Sequence, residues 1–283
     1  MKSDGPSEIA IWGLGRVGTG FALALKHLPI SLHLYSSSET SRDRASALGL
    51  RVEPSLEAWQ NKAKNAEVIA LGWSDDALHQ GASKLGDILN AKQTLIHFSG
   101  LLNAAVLGST PAELGSVHPL AACPTPESAV NVFKQGPLVL EGAPSAQIRM
   151  RQLVDRLGAK SFEVKEGQKA TYHAGAVLAS NALVGLLHLA SKEWKQAGLE
   201  QADELLVSLS ESAIRAVAEK GLIDGLTGPL KRGDIGSLEQ HLAVLSDETS
   251  VTYKALHRAL MDLIGEDLEN AETRDRLKAL LID

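Results

Sequence analysis

Three glycines near the start of the chain, Gly13, Gly15 and Gly18, have the spacing G-x-G-x-x-G. An apolar run typical of a buried strand (residues 9–12) precedes them, and an apolar helical pattern follows. In this order the chain turns tightly at the first glycine, a ligand reaches the backbone at the second, and the helix packs closely on the strand at the third. The unpaired N–H groups of a helix start attract phosphate. The sequence therefore predicts a dinucleotide site formed by Gly13, Leu14, Gly15, Arg16, Val17 and Gly18, the alternative being a glycine-rich turn that binds nothing.

Serines and arginines stand where the next strand of such a fold would end. Residues 31–36 alternate as a strand does, and an Asp or Glu at its end would bind the ribose 2′-hydroxyl of NAD. This chain has three serines instead, with Arg42 and Arg44 just beyond. Hydroxyl and guanidinium groups bind a 2′-phosphate, which a carboxylate would repel, so the pattern favours NADP over NAD. In the alternative, both arginines are solvated and Glu39 or Asp43 contacts NAD. The contacts predicted for NADP are Ser36, Ser37 and Arg42.

Two ionisable side chains are spaced to share one face of a helix. Lys169 and His173 are four residues apart, and Ala176 and Ser180 continue the same face. This stripe is small and polar, which is more typical of a cleft wall than of a core. We predict catalytic or substrate-binding roles for Lys169 and His173, and a substrate contact for Asn181. The alternatives are a solvated Lys169 and a half-buried, hydrogen-bonded His173.

A further histidine follows an apolar segment. His118 precedes Pro119, so the chain is held extended there, and a neutral imidazole can donate or accept a hydrogen bond to a substrate. The alternative is a turn histidine bonded to the backbone. Ser99, at the end of an earlier segment, could orient the substrate or the nicotinamide amide. His97 points to the opposite face from Phe98 and is predicted to be structural.

A polar loop broken by glycines, residues 227–234, lies between helical segments. Arg232 in this loop could bind a substrate carboxylate through two hydrogen bonds, with Asp234 as a partner. The alternative, weighed equally, is a loop whose charges cap helices.

Apolar strand-like segments alternate with helical ones through residues 1–165. This alternation predicts an α/β fold with a doubly wound sheet, in which ligands bind outside the carboxyl ends of the strands. Trp73 and Ser74 follow one strand and are predicted to lie beside the cofactor. After the strand at residues 31–36, the predicted strands are residues 66–73, 93–100, 115–120, 136–141 and 160–164.

Residues 166–283 show only helical patterns, so we predict an all-helical second domain joined directly to the first. One helix start is predicted at Ser237, which forms a capping-box spacing with Gln240. Because apolar outer faces need covering, we expect a homodimer through this domain. The predicted helices are residues 169–196, 199–220, 237–245, 249–264 and 271–281.

Composition limits the classes of function. The 283 residues carry a formal net charge of -6, which argues against binding to nucleic acid or to an anionic membrane surface. Cys123 is the only cysteine, so no intramolecular disulfide forms. The histidines are scattered rather than spaced as ligands, and no metal site is expected. We see no signal peptide and no uninterrupted apolar run of roughly 18 residues, and therefore expect a cytoplasmic protein.

Four stretches occur together in an order that resembles a known family: residues 97–100, 116–120, 172–174 with Asn181, and 226–234, which read HFSG, SVHPL, YHA and LTGPLKRGD. They resemble proteins with a Rossmann-like domain followed by domain of unknown function 2520 (DUF2520). The resemblance implies an NADP-dependent oxidoreductase whose helical domain is similar to the C-terminal domain of 6-phosphogluconate dehydrogenase. Relatives include pyrroline-5-carboxylate and ketopantoate reductases, prephenate dehydrogenases and 3-hydroxyacid dehydrogenases, which commonly dimerise through the helical domain.

The resemblance also implies roles for particular residues. Lys169 and His173 resemble a lysine with an amide or histidine one turn later in the 3-hydroxyacid and 6-phosphogluconate dehydrogenases. His118 resembles the histidine that faces the substrate hydroxyl in prephenate dehydrogenases. We therefore expect hydride transfer to or from a small carboxylate-bearing substrate in the cleft between the domains, with His118, Lys169 and His173 as catalytic residues. The alternatives are a ketopantoate-reductase-like enzyme and an NADP-binding sensor without turnover.

Overall fold

A computed structural model describes residues 5–80, 82–265 and 270–282. The strands in these residues are β1 (Glu8–Trp12), β2 (Ser31–Tyr35), β3 (Val68–Leu71), β4 (Thr94–His97), β5 (Glu113–Pro119), β6 (Pro137–Gly142) and β7 (Lys160–Glu163). They form one sheet in the order β2-β1-β3-β4-β5-β6-β7. β5 and β6 pair antiparallel, and all other neighbours in this sheet pair parallel. The predicted doubly wound α/β sheet is confirmed.

Helices cover both faces of the sheet, since successive side chains of a strand point to opposite faces. Ile9 and Ile11 join a core with residues from four helices, whereas Ala10 and Trp12 join a second core on the other face. The helices of this part of the chain are α1 (Arg16–Leu25), α2 (Glu39–Ala47), α3 (Leu56–Ala63), α4 (Asp75–Leu78), α5 (Pro126–Gln135), α6 (Pro144–Leu157) and α7 (Lys169–Ala179), with 3₁₀ turns at Ala82–Ile88 and Ala104–Leu107.

The strand order reverses direction at β1, which lies between β2 and β3. Ligands of doubly wound sheets bind at such a switch point, outside the carboxyl ends of the strands. One row of paired residues runs across the sheet near this edge: Trp12, Leu71, His97, Ser116 and Glu141. The segments that follow β1, β3 and β4 are therefore neighbours in space.

The residues described after α7 form helices and their connections, as predicted, with α8 (Asn181–Gln196), α9 (Ala202–Gly225), α10 (Ile235–Val244), α11 (Asp247–Ile264) and α12 (Ala271–Leu281). A small core joins α10, α11 and α12. Helix α9 is interrupted at Gly221, where φ is +82°. The predicted start of α10 at Ser237 is wrong, because the helix begins two residues earlier, at Ile235, where the side chain of Asp234 caps it by accepting a hydrogen bond from the Ser237 N–H at 3.1 Å.

The chain divides into two compact units, Met1–Ser180 and Asn181–Asp283. This division falls 15 residues after the predicted domain boundary at residues 165/166, because α7 belongs to the sheet unit. The single helix predicted for residues 169–196 is two helices, since Ser180 leaves helical geometry with φ of -124° and ψ of -76°.

One stretch, Lys169–Gln196, is long and apolar enough to cross a membrane by length and composition alone, which the sequence analysis does not anticipate. The stretch includes the break at Ser180. Its first half is tied to the sheet unit by hydrogen bonds from Lys169 to Ser99 and Ser116.

Candidate active site

The glycine turn between β1 and α1 has the geometry that its sequence predicts. Gly13 has a φ of +107°, and its N–H donates to the carbonyl of Tyr35 at 2.8 Å. A Cβ on Gly18 would lie 2.0 Å from the carbonyl oxygen of Gly13, so only glycine allows α1 to pack this closely. A Cβ on Gly15 would meet nothing closer than the Gly72 oxygen at 3.8 Å. The turn is therefore crowded at two glycines and open at the one where a pyrophosphate would approach, which fits a dinucleotide.

Gly72, which follows β3, is a further member of this turn. A Cβ there would lie 2.2 Å from the Gly13 oxygen and 3.1 Å from the Gly18 Cα. The three glycines thus form one contact at the switch point. The signal in the sequence is weak: a lone glycine directly after a buried strand.

Arg42 lies against the end of β2, as predicted. Its Nη1 donates to the carbonyls of Ser36 and Ser37 at 2.8 and 3.1 Å. Ser36 is buried, Ser37 is exposed, and Ser38 caps α2. The guanidinium is thereby held beside hydroxyl groups at the edge where the adenosine ribose of a bound dinucleotide lies.

Arg44 reaches the glycine turn itself, which the sequence pattern does not predict. Its Nη2 donates to the carbonyl of Leu14 at 2.9 Å. Arg16 is exposed at the first position of α1. Positive charge is therefore concentrated around the turn, where a dinucleotide has its phosphates.

Trp73 and Ser74 follow Gly72 at the same edge. The Trp73 ring packs edge-on against Trp12, with ring centroids 4.8 Å apart, and is half-buried. Lys84 Nζ lies 5.8 Å from the Trp73 centroid. Ser74 is exposed at the start of α4. Both predicted cofactor contacts therefore lie at the carboxyl edge, beside the turn.

Lys169 projects from α7 into the carboxyl edge and is only 2% exposed. Its ammonium donates to the Ser99 carbonyl at 2.5 Å and to the Ser116 hydroxyl at 2.8 Å. Burial lowers the pKa of Lys169 to about 8, against the opposing effect of the negative charges of Glu141 and Asp75. Lys169 is neither solvated nor part of an apolar core.

Glu141 on β6 is a buried carboxylate that the sequence analysis misses. It accepts hydrogen bonds from the Ser116 hydroxyl at 3.3 Å and from the Ala104 N–H at 2.7 Å. Ser116 therefore connects the carboxylate to Lys169. The available signal is a single charge in an otherwise apolar strand, but its partner depends on the antiparallel pairing of β5 and β6.

His118 and His173 meet at Gly100. A Cβ on Gly100 would lie 2.6 Å from His173 Nδ1 and 2.7 Å from His118 Nε2, so both nitrogens face one point. The two rings are nearly perpendicular, with centroids 5.9 Å apart. The other ring nitrogen of His118, Nδ1, is 2.6 Å from the Tyr172 hydroxyl. Burial, aided by the charges of Lys169 and His173, lowers the pKa of His118 to about 4, so the ring is neutral at neutral pH.

Ser99 and His97 stabilise this corner of the sheet. The Ser99 hydroxyl oxygen accepts from the N–H groups of Leu101 and Leu102, and its carbonyl, rather than its hydroxyl, contacts Lys169. His97 is fully buried; its Nδ1 accepts from the Ser99 N–H and its Nε2 donates to the Asn103 carbonyl. Burial lowers the pKa of His97 to about 3, as suits a neutral structural histidine.

The structure brings together four of the predicted residues, Ser99, His118, Lys169 and His173, within the sheet unit. Asn181 and Arg232 belong to the helical unit. Both are exposed, and the Arg232 N–H donates to the Pro229 carbonyl. Asp234 caps α10, as the alternative interpretation of this loop expects.

Comparison with solved structures identifies the fold. A Bacteroides fragilis protein, BF3122, described as a candidate NADP oxidoreductase, aligns over 90% of this chain and 98% of its own, with 19% identity and a TM-score of 0.69. Pyrroline-5-carboxylate reductase of Streptococcus pyogenes aligns over 96% and 98%, with 19% identity and a TM-score of 0.63. An imine reductase of Aspergillus terreus, in complex with NADPH4 and a dibenzazepine, aligns over 93% and 96%, with 14% identity and a TM-score of 0.62.

No curated protein matches the sequence of the chain. Residues 136–260 match DUF2520, a domain of unknown function. The match includes the strand of Glu141, the helix of Lys169 and His173, and the loop of Arg232. This part of the chain is therefore similar to the DUF2520 domain, and it follows most of the strands of a Rossmann-like sheet.

Proposed function

We propose that this protein is an NADP(H)-dependent oxidoreductase that acts on a small, carboxylate-bearing substrate. The observation that carries the proposal is that three features lie at one edge of the sheet. They are an open glycine turn, the buried Lys169, and the facing ring nitrogens of His118 and His173. The bound cofactor would supply the hydride chemistry, and the protein supplies position and charge. The named activities of solved structures with this fold, pyrroline-5-carboxylate reduction and imine reduction, support this class of reaction.

The cofactor contacts divide into two groups. The turn around Gly15, at the start of α1, offers backbone N–H groups to a pyrophosphate. Arg42, with Ser37 beside it, would bind the 2′-phosphate, and Arg44, bonded to the Leu14 carbonyl, would add positive charge near the turn. No carboxylate ends β2, which supports NADP over NAD.

Lys169 is the side chain best suited to hold the reacting oxygen of a substrate. An ammonium has three N–H donors, and Ser99 and Ser116 accept two of them. The third is available to a substrate oxygen that gains negative charge, an interaction that buried donors strengthen. A pKa of about 8 keeps most of the lysine charged at neutral pH.

The test is to titrate the full chain with NADPH and NADH, following nicotinamide fluorescence. Deuterated NADPH is then incubated with the protein and a cell extract, and labelled products are sought. We expect tighter binding of NADPH and transfer of deuterium to a small acid. The variant Lys169→Met should still bind NADPH but transfer little label. If neither cofactor binds, the proposal is wrong; binding without transfer by the wild type would identify the sensor alternative.

We also propose that two copies associate through the helical unit. Large apolar side chains remain exposed along α9, including Val207, Leu209 and Ile214 at more than half of their surface. A surface of this kind is costly in water unless a partner covers it. A second copy of the same chain offers a matching apolar face.

A further inference from the structure

We propose that Ser116 and Glu141 form a proton relay that connects the buried Lys169 with water in a cavity bordered by Glu141. The relay returns a proton to Lys169 each time this lysine gives one to a substrate. Its role in turnover rests on the proposed oxidoreductase function, because that function supplies the substrate. The path itself is a property of this chain alone.

The relay is built on a cross-strand pair. In the antiparallel pairing of β5 and β6, Ser116 lies directly opposite Glu141, so the two side chains share one face of the sheet. Lys169 Nζ donates to the Ser116 hydroxyl at 2.8 Å, and this hydroxyl donates to Glu141 Oε2 at 3.3 Å. A hydroxyl can accept and donate at once, so each group passes a hydrogen bond to the next. The second contact is longer than a typical O–H···O bond, and a transfer along it requires a small approach of the two side chains.

The outer end of the relay reaches a cavity of about 720 Å³. Glu141 lines this cavity together with the 3₁₀ turn Ala104–Leu107 and residues 163–166. Glu141 Oε2 accepts from Ser116 and from the Ala104 N–H, whereas Oε1 accepts no hydrogen bond from the described residues. Among those residues, His173 Nδ1 is the only side-chain polar atom that is both closed to solvent and unbonded. Glu141 Oε1 is therefore open to water, although the residue as a whole is only 4% exposed.

The inner end of the relay is a lysine that water hardly reaches. Lys169 is 2% exposed and is not part of the lining of the cavity. The two bonds from its ammonium to Ser99 and Ser116 leave one N–H for a substrate. A bound substrate therefore covers the side of the ammonium that faces the active site. A replacement proton must come from a direction that the substrate does not block, and Ser116 lies in such a direction.

The atoms of one reduction balance along this path. The substrate carbon receives a hydride from a reduced nicotinamide, one N–H bond of Lys169 breaks, and its proton goes to the substrate oxygen. The neutral amine of Lys169 then takes the hydroxyl proton of Ser116. Glu141, which has taken a proton from water in the cavity, passes it to Ser116. One hydride from the cofactor and one proton from solvent are consumed, and all three side chains return to their starting state.

The relay is tested without a substrate, through the exchange of the Lys169 ammonium protons with water. Nitrogen-15 NMR of the full-length protein with labelled lysine measures this exchange at neutral pH, and Lys169→Met assigns the signal by its loss. Ser116→Ala removes the middle of the path, and Glu141→Gln replaces the proton acceptor with an amide. Both variants should slow the exchange severalfold, so that the signal sharpens. Ser116→Thr keeps a hydroxyl and should exchange like the wild type.

The direction of the change in Glu141→Gln separates a relay from a purely electrostatic effect. Loss of a nearby negative charge makes the ammonium a stronger acid, which would speed its exchange, whereas a broken relay slows it. The matched control is Glu113→Gln, which removes a carboxylate from the lining of the same cavity and should leave the exchange unchanged. Unchanged or faster exchange in either Ser116→Ala or Glu141→Gln overturns the relay.

Titration with NADPH distinguishes failure of the relay from failure of the proposed function. If NADPH binds but exchange in Ser116→Ala and Glu141→Gln equals that of the wild type, the relay is wrong and the oxidoreductase proposal stands. If NADPH does not bind but both variants slow the exchange, the path exists and its role in a reduction is wrong.

Discussion

Lys169 shows how strongly one buried charge depends on groups that it does not touch. Ser116 stands between its ammonium and the carboxylate of Glu141. The nearby negative charges raise the pKa of Lys169 and partly offset the lowering by burial. Without them, less of the lysine would be charged at neutral pH, and the site would lose its cation.

This arrangement predicts the pH dependence of the reaction. If the ammonium form is required, activity falls as the pH rises through about 8. Glu141→Gln removes a negative charge and lowers the pKa of Lys169 further, so the falling limb moves to lower pH. The measurement is kcat as a function of pH. Glu113→Gln, a half-buried residue on the neighbouring strand, is the control and should leave the limb in place. A limb that does not move in Glu141→Gln contradicts the coupling.

A second prediction concerns the choice of cofactor. Arg42→Ala removes a guanidinium beside Ser37 and should raise the Kd for NADPH about 10- to 100-fold, as expected for hydrogen bonds to a charged group. The Kd for NADH should change little, because NADH has no 2′-phosphate. The matched control is Arg51→Ala, which removes an exposed arginine just beyond α2. If Arg42→Ala weakens the binding of NADPH and NADH equally, Arg42 does not select the 2′-phosphate.

Some residues of the site could be predicted from the sequence and others could not. Gly13, Gly15 and Gly18 follow a local motif, and Lys169 and His173 follow helical periodicity. The contacts of Glu141, Arg44 and Gly72 join segments far apart in the chain. No local pattern encodes them, because they depend on strand order and on the antiparallel direction of β6.

At the scale of elements, the turn between β1 and α1 contains one glycine that the fold requires and another that the proposed cofactor site requires. Gly18→Ala puts a Cβ 2.0 Å from the Gly13 oxygen, and should lower the free energy of unfolding by about 1–3 kcal/mol or more. Gly15→Ala has room, and should leave that free energy within about 0.5 kcal/mol, yet weaken NADPH binding by blocking the pyrophosphate. Urea unfolding and NADPH titration of both variants check this pair. Unchanged affinity in Gly15→Ala would place the dinucleotide elsewhere.

Most strands and helices could be predicted from the sequence, but the residues at which the helices end or break were harder to predict. All seven strands and the helix at Ala271–Leu281 agree with their patterns. The division of residues 169–196 at Ser180 was missed, whereas the predicted helix at residues 199–220 ends directly before the interruption of α9 at Gly221. Periodicity continues across Ser180, so that break has no signal in the hydrophobic pattern alone.

At the scale of the whole molecule, the proposed dimer is tested by the mass of the protein in solution. Light scattering should give twice the 30.0 kDa of one chain. Leu209→Glu places a charge on the apolar face of α9, where the leucine is 58% exposed, and should shift the mass toward the monomer. Glu211→Gln on the same helix is the control and should remain dimeric. A monomeric wild type contradicts the proposal.

The packing of Trp73 on Trp12 has a practical consequence. Trp59 lies against the same Trp12 ring, with centroids 5.4 Å apart, so three of the four tryptophans form one group beside the glycine turn. The fourth, Trp194, is in the helical unit. Trp194→Phe would therefore leave a protein whose ultraviolet emission comes from a single neighbourhood. Such a variant carries its own optical reporter, and quenching by an added nucleotide would reveal occupancy of that edge without any dye or known substrate.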